Sequence, residues 1–75
     1  PLTNEMQVCV IYAGVNGYLD PIATEDVQRF EEGLIHEVNA NGQDILKAIG
    51  ETGQLDETTE GKLRSLVDGY AKAFA

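Results

Sequence analysis

The sequence has 75 residues, 43% hydrophobic side chains, one cysteine and a formal net charge of -8 at pH 7. This length allows one small domain, and the single cysteine excludes an intramolecular disulfide. The acidic balance argues against nucleic acid and against anionic membrane surfaces as partners, because both attract clustered lysine and arginine. The longest apolar run, Val8–Ala13, is too short to cross a bilayer.

The first predicted element starts at Thr3 or Asn4, either of which can cap a helix, and ends at Asp20, before Pro21. A buried strand is the alternative, because several of its residues favour strands. We favour a helix, since the apolar residues form helical rows that last longer than a typical strand. The centre of this helix has no polar stripe, which predicts neighbours on nearly every side. Its apolar residues are Val8, Cys9, Val10, Ile11, Tyr12, Ala13 and Val15.

The second predicted element is an amphipathic helix with Thr24 as its N-cap and two acidic residues, Glu25 and Asp26, in its first turn. The stretch Asn39–Gly42 weakens helicity, so we expect a kink or a break before Gln43. The apolar face of this helix consists of Val27, Phe30, Leu34, Ile35 and Val38.

Two further helices complete the predicted fold. The third begins at Gln43, carries Ile45, Leu46 and Ile49, and is expected to end at Gly50 and Gly53. Asp56 is placed to cap the last helix, which runs to the C terminus. The sequence therefore predicts an all-α fold, a small bundle of about four helices. The apolar stripe of the last helix consists of Leu63, Leu66, Val67, Tyr70, Ala71 and Phe74.

Most of the basic side chains follow an acidic one by three or four residues, a spacing that favours ion pairs on a helix surface. We therefore expect no free basic patch for a polyanion. The predicted pairs are Glu25–Arg29, Asp44–Lys47, Glu60–Arg64 and Asp68–Lys72.

Catalytic and ligand-binding motifs are not recognisable. Gly61-Lys62 lacks the preceding glycine and the following Ser or Thr of a phosphate-binding loop. Gly14 and Gly17 do not make a dinucleotide fingerprint, and we interpret them as small contact positions. The acidic pairs do not follow a calcium-loop pattern. We therefore predict no catalytic, cofactor-binding or metal-binding residue in this chain.

The residues with reactive side chains have structural interpretations. Cys9 lies in the most apolar segment, which favours a protonated, unreactive thiol in the core. His36 falls on the polar side of the second helix, as a surface or interface residue. The tyrosines are interpreted as rings in a contact with the hydroxyl at its edge. They are Tyr12, Tyr18 and Tyr70.

Two other classes of protein remain as alternatives. The small size, acidity and helical pattern fit an acyl carrier protein, but the sole serine, Ser65, follows Arg64 inside the last helix. A carrier needs Asp-Ser-Leu at the start of a helix, so we disfavour this interpretation. A free-standing acidic helical module for protein interaction would show the same apolar stripes.

The segment Gln7–Asp20 resembles the "QV-x-x-IYAG-x-x-GYLD" segment near the end of the alpha subunit of F-type ATP synthases. Three later segments resemble motifs of the same family, in the same order. Val27–Glu31 is similar to "V-x-x-FE", Gln43–Leu46 to "Q-[DE]-IL", and Glu60–Leu63 with the terminal Ala71–Phe74 to the closing helix. Two departures are Pro21, where the family often has a basic residue, and Gly42, where it commonly has His. We expect Pro21 to shorten the first helix and Gly42 to loosen the joint between the second and third.

The resemblance implies that residues 1–75 are the C-terminal portion of the alpha subunit's helical C-terminal domain. A first residue of Pro1 agrees with a fragment of a longer chain. In that family the alpha subunit is non-catalytic and nucleotide-binding, and it alternates with beta in a ring around a central stalk. The implied partners are the beta subunit, the central-stalk gamma subunit and the remainder of alpha, with no nucleic acid.

The resemblance also implies a structural role in ATP synthesis by a proton-translocating complex. ATP, ADP and Mg would bind the upstream domain of the parent subunit, with no cofactor and no catalytic site in this segment. The implied location is peripheral, without membrane insertion, on the cytoplasmic side of the bacterial plasma membrane or the matrix side of the mitochondrial inner membrane. These helices would pack the helical end of the alpha/beta ring around the stalk.

Overall fold

A computed structural model describes residues 2–74, which contain four α-helices and no strands. The helices are α1, Asn4–Val15; α2, Val27–Asn41; α3, Gln43–Thr52; and α4, Glu57–Phe74. A short 3-10 turn, Thr24–Asp26, precedes α2. The all-α prediction is confirmed, and the first segment is a helix and not a strand.

The first helix begins where the sequence predicts and ends earlier. Thr3 is its N-cap, and its hydroxyl accepts a hydrogen bond from the Met6 N–H at 3.3 Å. The expected end at Asp20 is wrong, because the chain leaves the helix after Val15. Gly17 adopts a left-handed φ of 83°, and its N–H donates to the Gly14 carbonyl at 3.2 Å.

This helix end is a Schellman motif, in which two N–H groups beyond the helix bond back to its last free carbonyls. The second of these bonds joins the Tyr18 N–H to the Ala13 carbonyl at 3.0 Å. Glycine supplies the left-handed conformation without steric cost. Gly17, and not Pro21, therefore determines the length of α1.

The second helix also begins differently from the prediction. Thr24 lies inside the 3-10 turn, and the N-cap position of α2 is taken by Asp26, which makes no side-chain capping hydrogen bond. The helix then continues through Asn41, and the predicted break falls at Gly42. Gly42 is buried, and an added Cβ would lie 3.0 Å from the Val38 carbonyl oxygen and 3.1 Å from a Leu66 methyl. The joint is therefore closely packed and not loosened by the glycine.

The third helix passes through Gly50, so the prediction that this residue helps to end it is wrong. Gly53 ends it as predicted, with a φ of 71° and its N–H bonded to the Ile49 carbonyl at 2.7 Å. Asp56 then caps α4 as predicted, because its carboxylate accepts a hydrogen bond from the Thr59 N–H at 2.7 Å.

Helices α2 and α3 contact each other, and both contact α1 and α4. The radius of gyration is 11.6 Å, close to the roughly 11 Å expected of a packed chain of this length. The four helices therefore share one core. Its side chains that are fully removed from solvent are Cys9, Phe30, Leu34, Val38, Leu63 and Val67.

The predicted surface ion pairs do not form among residues 2–74. Arg29 pairs with Asp26 at 3.5 Å, and Lys62 pairs with Asp44 at 3.3 Å across two helices. All four side chains are largely exposed, and such pairs contribute little to stability. The partner of Arg29 is thus the acidic residue three positions earlier and not the predicted Glu25, and the partner of Lys62 lies on another helix.

Candidate assembly surface

The outward face of α1 carries the two large apolar side chains with the highest exposed fractions among the described residues. Ile11 is 61% exposed and Val15 is 79% exposed. They lie four residues apart and so on the same side of the helix. The opposite side of α1 is buried against α2 and α3 through Met6, Cys9, Tyr12 and Ala13. The chain therefore covers one side of an apolar helix and leaves the other open.

This face is uncharged in a strongly acidic protein. Residues 6–19 contain no Asp, Glu, Lys or Arg, although the net charge of the chain is -8. Exposed single apolar residues are normal, but an uncharged apolar helix face is typical of a contact surface. We call Ile11 and Val15 with their uncharged surroundings the α1 outer face. The neighbours that the sequence predicts on nearly every side of α1 lie on one side of it within this chain, and Ile11 and Val15 on the other side are exposed.

Two tyrosines tie α1 and the segment after it to α4. The Tyr12 hydroxyl donates to a Glu60 carboxylate oxygen at 3.3 Å, and the Tyr18 hydroxyl donates to Asp68. The hydrogen bond to Asp68 raises the pKa of Tyr18 to about 12. Burial and the nearby Glu60 raise the pKa of Tyr12. Both phenols are therefore neutral donors at physiological pH, and they hold α1 and the segment after it against α4.

The third tyrosine joins α4 to α2. The Tyr70 hydroxyl donates to the Phe30 carbonyl at 2.9 Å, and the two rings lie 5.1 Å apart. Phe74 packs edge-on against Phe30 with 5.0 Å between ring centroids, and the Arg29 guanidinium lies 4.3 Å from the Phe74 centroid. These are ordinary packing geometries for aromatic and cation–π contacts.

Sequence reasoning missed Gly33, the residue that permits this arrangement. An added Cβ there would lie 2.0 Å from the Tyr70 hydroxyl oxygen and 3.0 Å from Cζ. The contact role was assigned instead to Gly14 and Gly17. A Cβ at Gly14 would meet its nearest neighbour at an ordinary 3.6 Å, and Gly17 serves the turn. Gly33 lies on α2 near Phe30, and its pairing with a residue 37 positions later has no signal in the sequence.

The other reactive side chains lie where the sequence predicts. Cys9 is fully buried, and desolvation raises the pKa of its thiol to about 11. His36 is exposed on α2. Ser65 is exposed well inside α4 and not at its N terminus. These three residues do not converge on one another.

No group of three or more His, Cys, Asp or Glu side chains with metal-binding geometry occurs within residues 2–74. A cleft with a volume of about 400 Å³ lies between the segment before α2 and the end of α4. Over the same residues, none of the helices has both the length and the hydropathy needed to span a bilayer.

A family model supplies the identification. The model of the ATP synthase alpha/beta chain, C terminal domain, matches residues 1–70. The match covers nearly the whole chain, including the α1 outer face and most of α4. It agrees with the resemblance of Gln7–Asp20 to the synthase segment and with the all-α fold. The chain therefore belongs to the ATP synthase alpha/beta C-terminal domain family.

Proposed function

We propose that this chain is the C-terminal helical portion of an F-type ATP synthase alpha subunit, where it has a structural and not a catalytic role. The choice of alpha over beta is supported by the long segment Gln7–Asp20, which resembles the alpha sequence. The parent would be the non-catalytic, nucleotide-binding subunit of a proton-translocating complex. ATP, ADP and Mg would bind its upstream domain.

The observation that carries the structural role is the α1 outer face. Ile11 and Val15 are exposed within the uncharged stretch of residues 6–19, while Met6, Cys9, Tyr12 and Ala13 on the other side of the helix are buried. Burying two such side chains in an assembly stabilises it by roughly 1.5–3 kcal/mol each at full burial. The partners would be the remainder of alpha, the beta subunit and the central-stalk gamma subunit. A closely packed bundle deforms little, which suits a stationary ring around a rotating stalk.

The proposal includes a location. The domain would be peripheral, on the cytoplasmic side of a bacterial plasma membrane or the matrix side of the mitochondrial inner membrane. Its acidity disfavours direct binding to anionic lipid, so attachment would come through other subunits. Fractionation of native membranes, with and without chelator and low-salt washing, tests this: the polypeptide should be released together with beta and gamma.

The central test is assembly of the full-length subunit carrying Ile11→Asp and Val15→Asp. We expect this variant to keep its helical circular dichroism, because both side chains are largely exposed. It should fail to form a hexameric ring with beta and gamma on a native gel. A variant carrying both Ser65→Asp and Ala73→Asp adds the same two charges at exposed positions of α4 and is the matched control, which should assemble normally.

Three outcomes would overturn the proposal. Normal assembly of the double variant with full ATPase activity would show that the α1 outer face is not a contact. Assembly of the wild-type subunit only when alpha is supplied and beta is omitted would show that the chain comes from a beta subunit. A sharp thermal transition of the chain as a dispersed monomer, without binding to beta or gamma, would favour the free-standing module.

A further inference from the structure

Two asparagines of this chain are each followed by glycine, Asn16–Gly17 and Asn41–Gly42. In such pairs the backbone nitrogen of glycine can attack the side-chain Cγ of asparagine, because glycine has no side chain to hinder the approach. The nitrogen loses its proton, a bond forms between it and Cγ, and the Cγ–Nδ2 bond breaks with release of ammonia. Water then opens the cyclic imide to aspartate or isoaspartate. The reaction needs only water as co-reactant.

The glycine N–H must leave its hydrogen bond before it can react, so the local structure controls the rate. At Gly42 this N–H donates to the Val38 carbonyl at 2.7 Å, and the Gly42 carbonyl accepts from the Leu46 N–H at 3.0 Å. The residue is buried, close to a Leu66 methyl. Release of this N–H would disturb the ends of both α2 and α3 and part of the core.

Asn16 lies in a more open place. It is exposed at the end of α1, and the Gly17 N–H makes a longer bond of 3.2 Å to the Gly14 carbonyl. No helix starts immediately after it, since residues 16–22 form turns and a bend. The Asn16 side-chain amide donates to the Tyr12 carbonyl at 2.9 Å, a bond that is lost when the last turn frays. Opening at Asn16 therefore involves one exposed helix end.

We propose that Asn16 is the preferred deamidation site of this protein and that the fold protects Asn41. The product places a carboxylate beside Val15, within the otherwise uncharged residues 6–19. It also puts negative charge at a helix C terminus, where the helix dipole opposes it. The inference rests on the two helix ends and on the end of α1 staying uncovered in the full-length subunit, where the neighbouring α1 outer face is proposed to be a contact.

The test follows both sites in the purified full-length protein by peptide mapping and mass spectrometry at mildly alkaline pH. Each conversion adds about 1 Da, and isoaspartate is detected separately by enzymatic methylation. We expect Asn16 to react about tenfold faster than Asn41 in the native protein, the ratio that corresponds to roughly one extra hydrogen bond to be opened at Asn41. In concentrated urea the two rates should become similar, because both pairs are then free of structure.

The comparison with urea also corrects for the different residues that precede the two asparagines. Asn16→Gln is the control variant, because its longer side chain disfavours cyclisation, and it should remove the early product while leaving the rate at Asn41 unchanged. Equal native rates at the two sites, a faster reaction at Asn41, or an Asn16 that is stable in the native protein and reactive in urea would each overturn the proposal.

Discussion

Replacing Gly33 with alanine tests the packing of α2 against α4. In the middle of an exposed helix this change is favourable, by about 1 kcal/mol in intrinsic helix propensity. At Gly33 the new Cβ would lie 2.0 Å from the Tyr70 hydroxyl oxygen, so the ring of Tyr70 must leave its place. The substitution therefore gains helix propensity within α2 and loses the contacts that Tyr70 makes between α4 and α2.

The loss can be worked out from the contacts of Tyr70. Its hydrogen bond to the Phe30 carbonyl contributes about 1 kcal/mol. Its ring contacts Phe30 at 5.1 Å and Phe74 at 6.0 Å between centroids, and such pairs are worth roughly 0.5–1.5 kcal/mol each. After the propensity gain of about 1 kcal/mol is subtracted, Gly33→Ala should destabilise the protein by about 1–3 kcal/mol.

Urea unfolding followed by circular dichroism measures this change, and α4 offers matched controls. An added Cβ at Gly61 or at Gly69 would meet nothing within 4 Å. Alanine at either position should stabilise the protein by up to about 1 kcal/mol. Gly33→Ala should also cost less in a Tyr70→Phe background, where the nearest atom is Cζ at 3.0 Å instead of the hydroxyl oxygen. If Gly33→Ala stabilises the protein as much as Gly61→Ala does, the position of the Tyr70 ring does not require a glycine at residue 33.

Two further predictions concern pH. The Thr59 N–H lowers the pKa of Asp56 below its ordinary value of 3.8, so the cap should stabilise α4 fully above that pH and lose its effect as the pH falls further. Asp56→Ala should therefore lower the urea midpoint at neutral pH, with a gap to wild type that closes in strong acid; a gap independent of pH would contradict this. The bond to Asp68 keeps Tyr18 protonated to about pH 12, so its stabilisation is complete below the ordinary pKa of 10.0 and disappears as the pH rises through the raised one. Tyrosinate absorbance should show this titration moving to lower pH in Asp68→Asn, and an unchanged titration would argue against the bond.

The sequence predicted the helices through periodicity and capping. Thr3 and Asp56 act as caps because their signals are local, a hydroxyl or carboxylate three residues before a free N–H. The first segment is helical although its residues favour strands, because its apolar rows have helical spacing and pack on α2 and α3. The break at Gly42 was also predicted from a local signal, the low helix propensity of the stretch Asn39–Gly42.

The errors arose where tertiary structure or a turn type decided the outcome. Pro21 was taken as the end of α1, but the left-handed Gly17, about one helical turn earlier in the chain, ended it first. Lys62 pairs with Asp44 on another helix, a choice that no spacing on one helix can reveal. The closeness of Gly33 to Tyr70 likewise depends on how two helices cross.

The sequence could predict that α1 has an exposed apolar surface, but it could not predict that this surface lies at Ile11 and Val15. An all-round apolar α1 implied surplus surface, and residues 6–19 showed the lack of charge. Which side remained open depended on the docking of α2 and α3, which bury Met6, Cys9, Tyr12 and Ala13. The family match supports the residues of this segment but does not distinguish its two faces.

Because Cys9 is buried in the core, its reaction with a thiol reagent reports unfolding of the protein. It is the only sulfur nucleophile in the sequence, it is sealed in the centre of the bundle, and its pKa of about 11 keeps it protonated at neutral pH. An alkylating reagent therefore reaches it only in molecules whose core has come apart. The rate of labelling therefore measures how often the core opens, without an added dye or an engineered probe.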